Sequence, residues 1–364
     1  MIVTEPGRGT FVAAAAASAA TQPIDAGWQT VALQGRAVDT EDLMRQVALP
    51  DSGAIVLSTG YLDPSLQPTR AMADALARAA RRPGVWNRAP LAGLAELRAK
   101  LATGIGVSPA DVLIVPGGQA GLSTALRALT PIGGTVVVDS PTYFGLFALA
   151  RSAGLRPVPV ATDSAGIRPD LLAETLAMTG ARLVCCQPMY ANPTGTVLAA
   201  SRRREVLDVV HDAGAFLLED DRARQLSCRP DPPPSLIRDD RHGNVVHLMS
   251  LTKPAAPGCG SERSRRAGPR PRGCGACASS MTSSCRGHCR RRRSTCSHQP
   301  PGRGTCRGCA VRGVLVTAGT PYYAGEPPAP HLRLTYCAED EPTLTRGIRV
   351  LGNVLDDMTG LTDR

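Results

Sequence analysis

Between residues 112 and 250 the chain alternates short apolar runs with longer segments of helical periodicity. No other feature limits the fold as much. The apolar runs are Val112–Val115, Thr135–Asp139, Arg156–Val160, Leu183–Gln187, Phe216–Glu219 and Val245–Met249. Between them, Ala120–Leu129, Tyr143–Ala153, Pro169–Met178 and Ser201–Ala213 carry apolar residues at helical spacing. Strand–helix–strand repetition calls for a mostly parallel sheet with helices on both faces, an α/β fold. Ligands of such sheets bind beyond the carboxyl ends of the strands, so the residues that follow each run are the candidates for a site.

Pro116-Gly117-Gly118-Gln119-Ala120-Gly121 joins a strand to a helix. Its glycines allow close backbone approach, and a helix N-terminus favours an anion such as phosphate. Asp139-Ser140-Pro141-Thr142-Tyr143 places a tyrosine ring at the sheet edge. Gln187-Pro188-Met189-Tyr190-Ala191-Asn192-Pro193-Thr194-Gly195 fixes a rigid loop through two prolines and a glycine, and Asn192 there can donate to a ligand oxygen. Glu219-Asp220-Asp221 ends the next run with carboxylates. Ser250-Leu251-Thr252-Lys253-Pro254 delivers a lysine off the end of a buried strand. Partial desolvation there would lower its pKa and make it a nucleophile toward a carbonyl.

In this order and spacing the motifs resemble those of the fold type I pyridoxal-phosphate aminotransferases. The resemblance runs from about Ser52 to Gly258 and resumes near Val311. It implies a large domain with a mostly parallel sheet and a smaller C-terminal domain, pyridoxal 5′-phosphate as cofactor, and a homodimer. It further implies that Lys253 forms the internal aldimine, that Asp220 pairs with the pyridine nitrogen, and that Asn192 bonds the ring hydroxyl. Tyr143 would stack on the ring, while Gly118, Gln119 and Ser250 would hold the phosphate. Arg333, in His331-Leu332-Arg333-Leu334-Thr335, matches the arginine that clamps a substrate carboxylate. The implied activity is amino-group transfer between an amino acid and an oxoacid. Two departures are visible. Asp221-Arg222 stand where family members often carry a tyrosine, and Asn87-Arg88-Ala89-Pro90 lacks another tyrosine common before the first large-domain helix.

The amino-terminal residues Ile2–Val12 alternate apolar and polar around Pro6-Gly7, as a β-hairpin does. They end in Gly9-Thr10-Phe11-Val12 and resemble the wing of a GntR-type winged helix, which directs the resemblance to the MocR-type regulators. A wing alone offers Arg8 to DNA, so DNA is expected as a partner only with a complete winged helix upstream. The alternative function is then effector sensing for such a regulator. Residues 13–50 read as a linker with a short helix at Thr40–Val47, and Thr69–Arg82 and Ala92–Ala102 read as helices.

The formal net charge of +10 misleads, because it is concentrated between Cys259 and Ala310. That segment holds 12 arginines, no lysine, one acid (Glu262) and 8 of the 12 cysteines. It has no Leu, Ile, Val, Phe, Tyr or Trp, and so is expected to lie outside the packed core, without fixed structure and with no metal. The family pattern after the lysine, Pro-Gly-Leu-Arg-x-Gly, stops at Pro257-Gly258. One possible set of codons for Cys259–Ser264 is TGC GGG TCG GAG CGC TCG; read one base earlier after a C, these give Leu-Arg-Val-Gly-Ala-Leu. Residues 259–310 are therefore read as out of frame, which makes an inactive, damaged copy a further alternative. Two rival readings of the segment are zinc at Cys274-x-x-Cys277 and Cys306-x-x-Cys309, with Cys285, His288 and Cys289 between, and a nucleic-acid arm at Arg290–Arg293. Residues 51–258 are expected to form the cofactor-binding domain and 311–364 what is left of the small one. No stretch is apolar enough for a membrane, Ala13–Ala20 lacks the Leu or Ile of a signal peptide, and the cytosol is expected.

Overall fold

A computed structural model describes residues 2–5, 9–12, 53–256, 262–266 and 309–359. The chain divides into two units, Met1–Asp39 and Thr40–Arg364. In the first, β1 (Ile2–Glu5) and β2 (Gly9–Val12) pair antiparallel, Ile2 opposite Val12, as the alternation predicts.

The second unit is built on an eight-stranded sheet. Its strands are β4 (Val112–Val115), β5 (Thr135–Ser140), β6 (Arg156–Asp163), β7 (Gly166–Ile167), β8 (Leu183–Cys186), β9 (Phe216–Asp220), β10 (Val245–Ser250) and β11 (Glu262–Arg266). They lie in the order β4-β11-β10-β9-β8-β5-β6-β7. The pairs β10·β9, β9·β8, β8·β5 and β5·β6 are parallel, while β11 runs antiparallel to both β10 and β4. A short separate pair, β3 (Ile55–Val56) with β12 (Val314–Leu315), and another, β13 (Thr317–Ala318) with β14 (Leu332–Arg333), complete the described strands.

Side chains alternate across a strand, and here the alternation builds two cores. Val137, Val184, Leu217 and Val245 face one layer. There they meet Leu172 and Leu176 of α5 (Pro169–Thr179) and Val206 and Val210 of α6 (Ala200–Asp212). Their neighbours Val136, Val138, Leu183, Leu218, Val246 and Leu248 face the other layer. They pack on Leu122 and Leu126 of α3 (Gly118–Leu129) and Leu146 and Phe147 of α4 (Phe144–Ser152). Continuous apolar runs are thus what strands covered on both faces require. The helix α3 approaches very closely: a Cβ on Gly121 would lie 2.5 Å from Leu248 Cδ1. Two earlier helices, α1 (Thr69–Ala80) and α2 (Ala95–Ile105), lie near their expected positions. A short α7 (Leu236–Asp239) precedes β10. Near the C-terminus α8 (Glu341–Thr359) packs Leu351 and Val354 against Ile55, Leu57, Val314 and Cys309.

The segment from 259 to 310 departs from expectation in two places. Residues 262–266, expected to lack fixed structure, form β11 between β4 and β10, with Arg263 opposite Met249 and Ile114. A ladder is made by backbone groups, which every non-proline residue carries, so a polar sequence can complete a sheet whose two neighbours offer unpaired edges. Cys309, placed outside the core by the sequence, is fully buried in the apolar cluster with Ile55 and Val314. The helix expected at Thr40–Val47, the cysteines at 274, 277, 285, 289 and 306, His288 and Arg290–Arg293 lie outside the described residues.

Leu217 is fully buried in the central strand β9. Leu217→Ala is expected to lower unfolding free energy by ~2–5 kcal/mol through lost burial and the cavity left behind, read as a reduced urea midpoint by circular dichroism.

Candidate functional site

Because β5, β8, β9 and β10 run parallel, their carboxyl ends share one edge of the sheet. The sequence-selected residues fall along that edge. Gly118 and Gln119 open α3 after Gly117, whose φ of 119° suits only glycine. The first-turn amides of this 12-residue helix point toward the edge. Tyr143 precedes α4, and Gln119 Nε2 donates to its hydroxyl. Asn192 follows β8 in a loop closed by Ala191 N–H to Thr196 O (2.9 Å) and Leu198 N–H to Pro188 O (2.8 Å). Tyr190, in the same loop, takes a left-handed φ of 52°, rare outside glycine. Its hydroxyl lies 2.8 Å from Ser227 Oγ, and Arg222 Nη2 donates to its carbonyl at 3.3 Å. Asp220 and Ser250 end β9 and β10.

Lys253 lies in the turn three residues beyond β10, and its Nζ sits 3.6 Å from the centre of the Tyr61 ring. That is cation–π distance. Burial pushes the Asp220 carboxyl up, while Arg222, a hydrogen bond from Gln187 and the Lys253 charge pull it back down. Burial, then the nearby Asp220, pushes the Tyr143 phenol up. Lys253, Asp220 and Tyr143 thus share one electrostatic neighbourhood. Arg333 lies on β14, where its Nη1 donates to Ser58 O at 2.7 Å.

Four residues that the sequence did not single out complete the surroundings. Tyr61 reads in the sequence only as part of a turn. Gln187 opens a motif already noted, but its side chain makes connections that the motif does not reveal. Tyr322 is fully buried, with Arg333 close to its hydroxyl. Burial raises its pKa, against the charges of Arg333 and Arg222. Arg222 has a buried Nε with no partner among the described residues. Burial lowers its pKa, Asp220 opposes that, and Arg333 adds to it. No spacing rule marks these four; only the folded chain brings them to one place.

The run Glu219-Asp220-Asp221 is sorted by strand alternation. Glu219 and Asp221 point away from Asp220 into the protein. Glu219 accepts the N–H groups of Leu236 (2.8 Å) and Ile237 (3.2 Å). Asp221 faces His247 Nε2 at 3.0 Å and receives Arg224 Nε. Burial works against the Asp221 anion, but His247 and Arg224 hold its pKa below the ordinary value. The ligand atoms of Glu219, Asp221 and His247 lie within 4.8 Å of one another. Arg224 already supplies a cation there, bonded to Asp221 and 3.8 Å from Glu219, so the cluster reads as a buried ion-pair network.

The sequence pattern described as "Aminotransferase class I and II" matches residues 53–252, more than half of the chain. The chain belongs to the aminotransferase class I and II family. Among curated proteins, the 2-aminoadipate transaminase of Thermus thermophilus is 32% identical over 57% of this chain and 53% of its own length. An uncharacterized HTH-type transcriptional regulator of Bacillus subtilis, YdfD, is 26% identical over 64% of this chain and 49% of its own. The chain thus spans about half the length of the curated relatives it matches. Among solved structures, the α-aminoadipate aminotransferase LysN of Thermus thermophilus superposes with a TM-score of 0.79 at 23% identity. The match covers 92% of this chain and all of that one, and that crystal contains N-(5′-phosphopyridoxyl)-L-leucine. An archaeal alanine:glyoxylate aminotransferase gives 0.75 at 19% identity, with 92% of this chain and 95% of that one covered. At these identities the likeness establishes the fold.

Pyridoxal phosphate, the cofactor of this fold family, suits the groups present. A half-buried carboxylate within reach of a lysine's charge fits a protonated ring nitrogen and an aldehyde. Unshared helix amides fit a phosphate. The orphaned Nε of Arg222 fits a polar ligand at the same edge.

Asp139, at the end of β5, has its carboxyl pushed up to about 6 by burial. Its folded pKa exceeds the unfolded value, so the folded state keeps a proton the unfolded state has lost. Stability therefore falls between about pH 4 and pH 6. Asp139→Asn removes that fall. The variant's unfolding free energy relative to the parent should rise across this window by ~3 kcal/mol and then level off, measured by urea melts at successive pH values.

Proposed function

We propose that this chain holds pyridoxal 5′-phosphate and transfers amino groups from an amino acid to an oxoacid. The observation that carries this reading is that Lys253 and the half-buried Asp220 emerge at the same carboxyl edge of β9 and β10, near enough for the lysine charge to act on the carboxyl. A bound pyridoxal phosphate supplies the electron sink that labilises bonds at an amino acid's α-carbon. Lys253 would hold the aldehyde through Nζ, and with that amine free Nζ would take and return the substrate α-proton as a general base and acid. Asp220 keeps the ring nitrogen protonated. Asn192 donates to the ring oxygen, and Tyr143 covers the ring face. Gly118, Gln119 and Ser250 receive the phosphate. Arg333 holds the substrate carboxylate.

The reading extends to a homodimer in the cytoplasm. No described helix is long and apolar enough to cross a membrane, which agrees with that placement. A second reading is favoured by the hairpin at residues 2–12 and by the regulators among the relatives. In it the same site senses an amine or the cofactor for a DNA-binding domain. Steady turnover of amino acid with oxoacid supports the first reading; cofactor binding without turnover supports the second.

Two measurements test the site. Borohydride reduction after incubation with pyridoxal phosphate is expected to leave a phosphopyridoxyl label on the peptide carrying Lys253, and Lys253→Ala to leave none. A label elsewhere, or no label on the parent, would sink the proposal. Arg333→Ala should lower kcat/KM for amino acids by about 10- to 150-fold, the worth of ~1.5–3 kcal/mol for hydrogen bonds to a charged group, while amines without a carboxylate lose little.

A further inference from the structure

Gln187 is buried immediately beyond β8, and its amide is engaged at both ends. Nε2 donates to Asp220 Oδ2. Oε1 accepts the backbone N–H of Asn192 at 2.7 Å. Its own backbone N–H donates to Asp139 Oδ2 at 3.2 Å. One side chain therefore ties the carboxylate at the end of β9 to the loop residue after β8. The partners fix which way the amide points, because a carboxylate must receive an N–H and a peptide N–H must find an oxygen.

We propose that Gln187 is a positioning residue that sets the distance between Asp220 and Asn192 and keeps Asp220 ionised for its cofactor contact. This rests on the pyridoxal-phosphate reading above and deepens it. The two residues it joins would touch two fixed points of one aromatic ring, the nitrogen and the ring oxygen. A ring is rigid, so the two contacts must be spaced together, and loops and strand ends do not share a spacing unless something spans them. A buried carboxylate also resists ionisation, and a hydrogen bond from a neutral amide opposes that without adding charge. Only a side chain with a donor and an acceptor at one end can serve both partners. Asparagine has them on a stem one methylene shorter.

The variant Gln187→Glu tests this because glutamate matches glutamine in shape. While protonated, the introduced carboxyl can donate to Asp220 and accept from Asn192. Once ionised, it replaces the donor with a second carboxylate facing Asp220, and like charges at this distance cannot both ionise easily. The other titratable groups around Asp220 are Asp139, Tyr143, Asp221, Arg222 and Lys253. The thiols of Cys185 and Cys186 also feel its charge, and burial keeps them protonated. All are common to parent and variants, so the comparison isolates position 187.

The full chain, Gln187→Glu and Gln187→Met are titrated with pyridoxal phosphate from about pH 5.5 to 8.5, a range that spans the titration of a carboxyl raised by burial, following absorbance and borohydride labelling of Lys253. The melting temperature of each protein without cofactor is recorded over the same range. Gln187→Glu is expected to bind within about threefold of the parent at the acid end and at least about tenfold more weakly at the alkaline end, the worth of one pKa unit. Gln187→Met should be weaker at every pH with the parent's slope. Without cofactor, the melting temperature of Gln187→Glu should fall with rising pH relative to Gln187→Met. If the parent is labelled at Lys253 and Gln187→Glu follows it at every pH, the inference fails and the cofactor reading stands. If the melting difference appears but no protein is labelled, the bridge exists without serving a cofactor, and both are overturned.

Discussion

The parallel pairing of β9 with β10 is the constraint on which the site depends. Both strands are mostly apolar, with Glu219 and His247 as buried polar exceptions, and their register sets Leu248 beside Asp220 and His247 beside Glu219. Once that register is fixed, the carboxylate that ends one strand and the lysine that follows the other emerge at the same edge. A shift of one residue would turn Asp220 into the layer of α5 and α6 and bring Glu219 or Asp221 to the site. The helices covering the two faces hold this register, because Leu217 and Leu218 are buried against different layers.

Charge below the site is arranged to the same end. Glu219, Asp221, Arg224 and His247 pair with one another and with the start of α7, away from the edge where Asp220 lies. Removing one partner from such a buried network costs ~3–5 kcal/mol, since the remaining charge stays without compensation. Asp220, between two members of that network in sequence, is left to face Lys253, Arg222 and Gln187. Three adjacent acids thus divide into two that hold the fold and one that faces the edge of the sheet.

The Arg- and Cys-rich segment bears on these arguments only at its two ends. Its start supplies β11, which bridges β4 and β10 through backbone hydrogen bonds. Its end supplies Cys309 to the small cluster around Ile55. A displaced reading frame keeps the backbone and discards the side-chain pattern. A strand made of Glu262-Arg263-Ser264-Arg265-Arg266 therefore carries no signal of period or apolarity in its sequence. The frame-shift reading of this segment is a proposal about the gene, and resequencing addresses it directly.

The alternation of apolar runs and helical periods determined the sheet, its parallel core and the helices on its faces, because burial on two sides demands continuous apolar strands. The motifs at the strand ends, through their resemblance to the family, likewise named Lys253, Asp220, Asn192, Tyr143, Gly118, Gln119 and Ser250 as candidates, and chain direction puts the strand ends together. Element boundaries moved by a few residues, as in α2, where Leu94 caps the helix rather than joining it. What only the tertiary structure decided is which side chains meet across those ends. Gln187 reaches Asp220 from 33 positions away in the chain, and Tyr61 lies under Lys253 from the far side of the sequence. Such contacts follow from strand order and register, which no local pattern encodes.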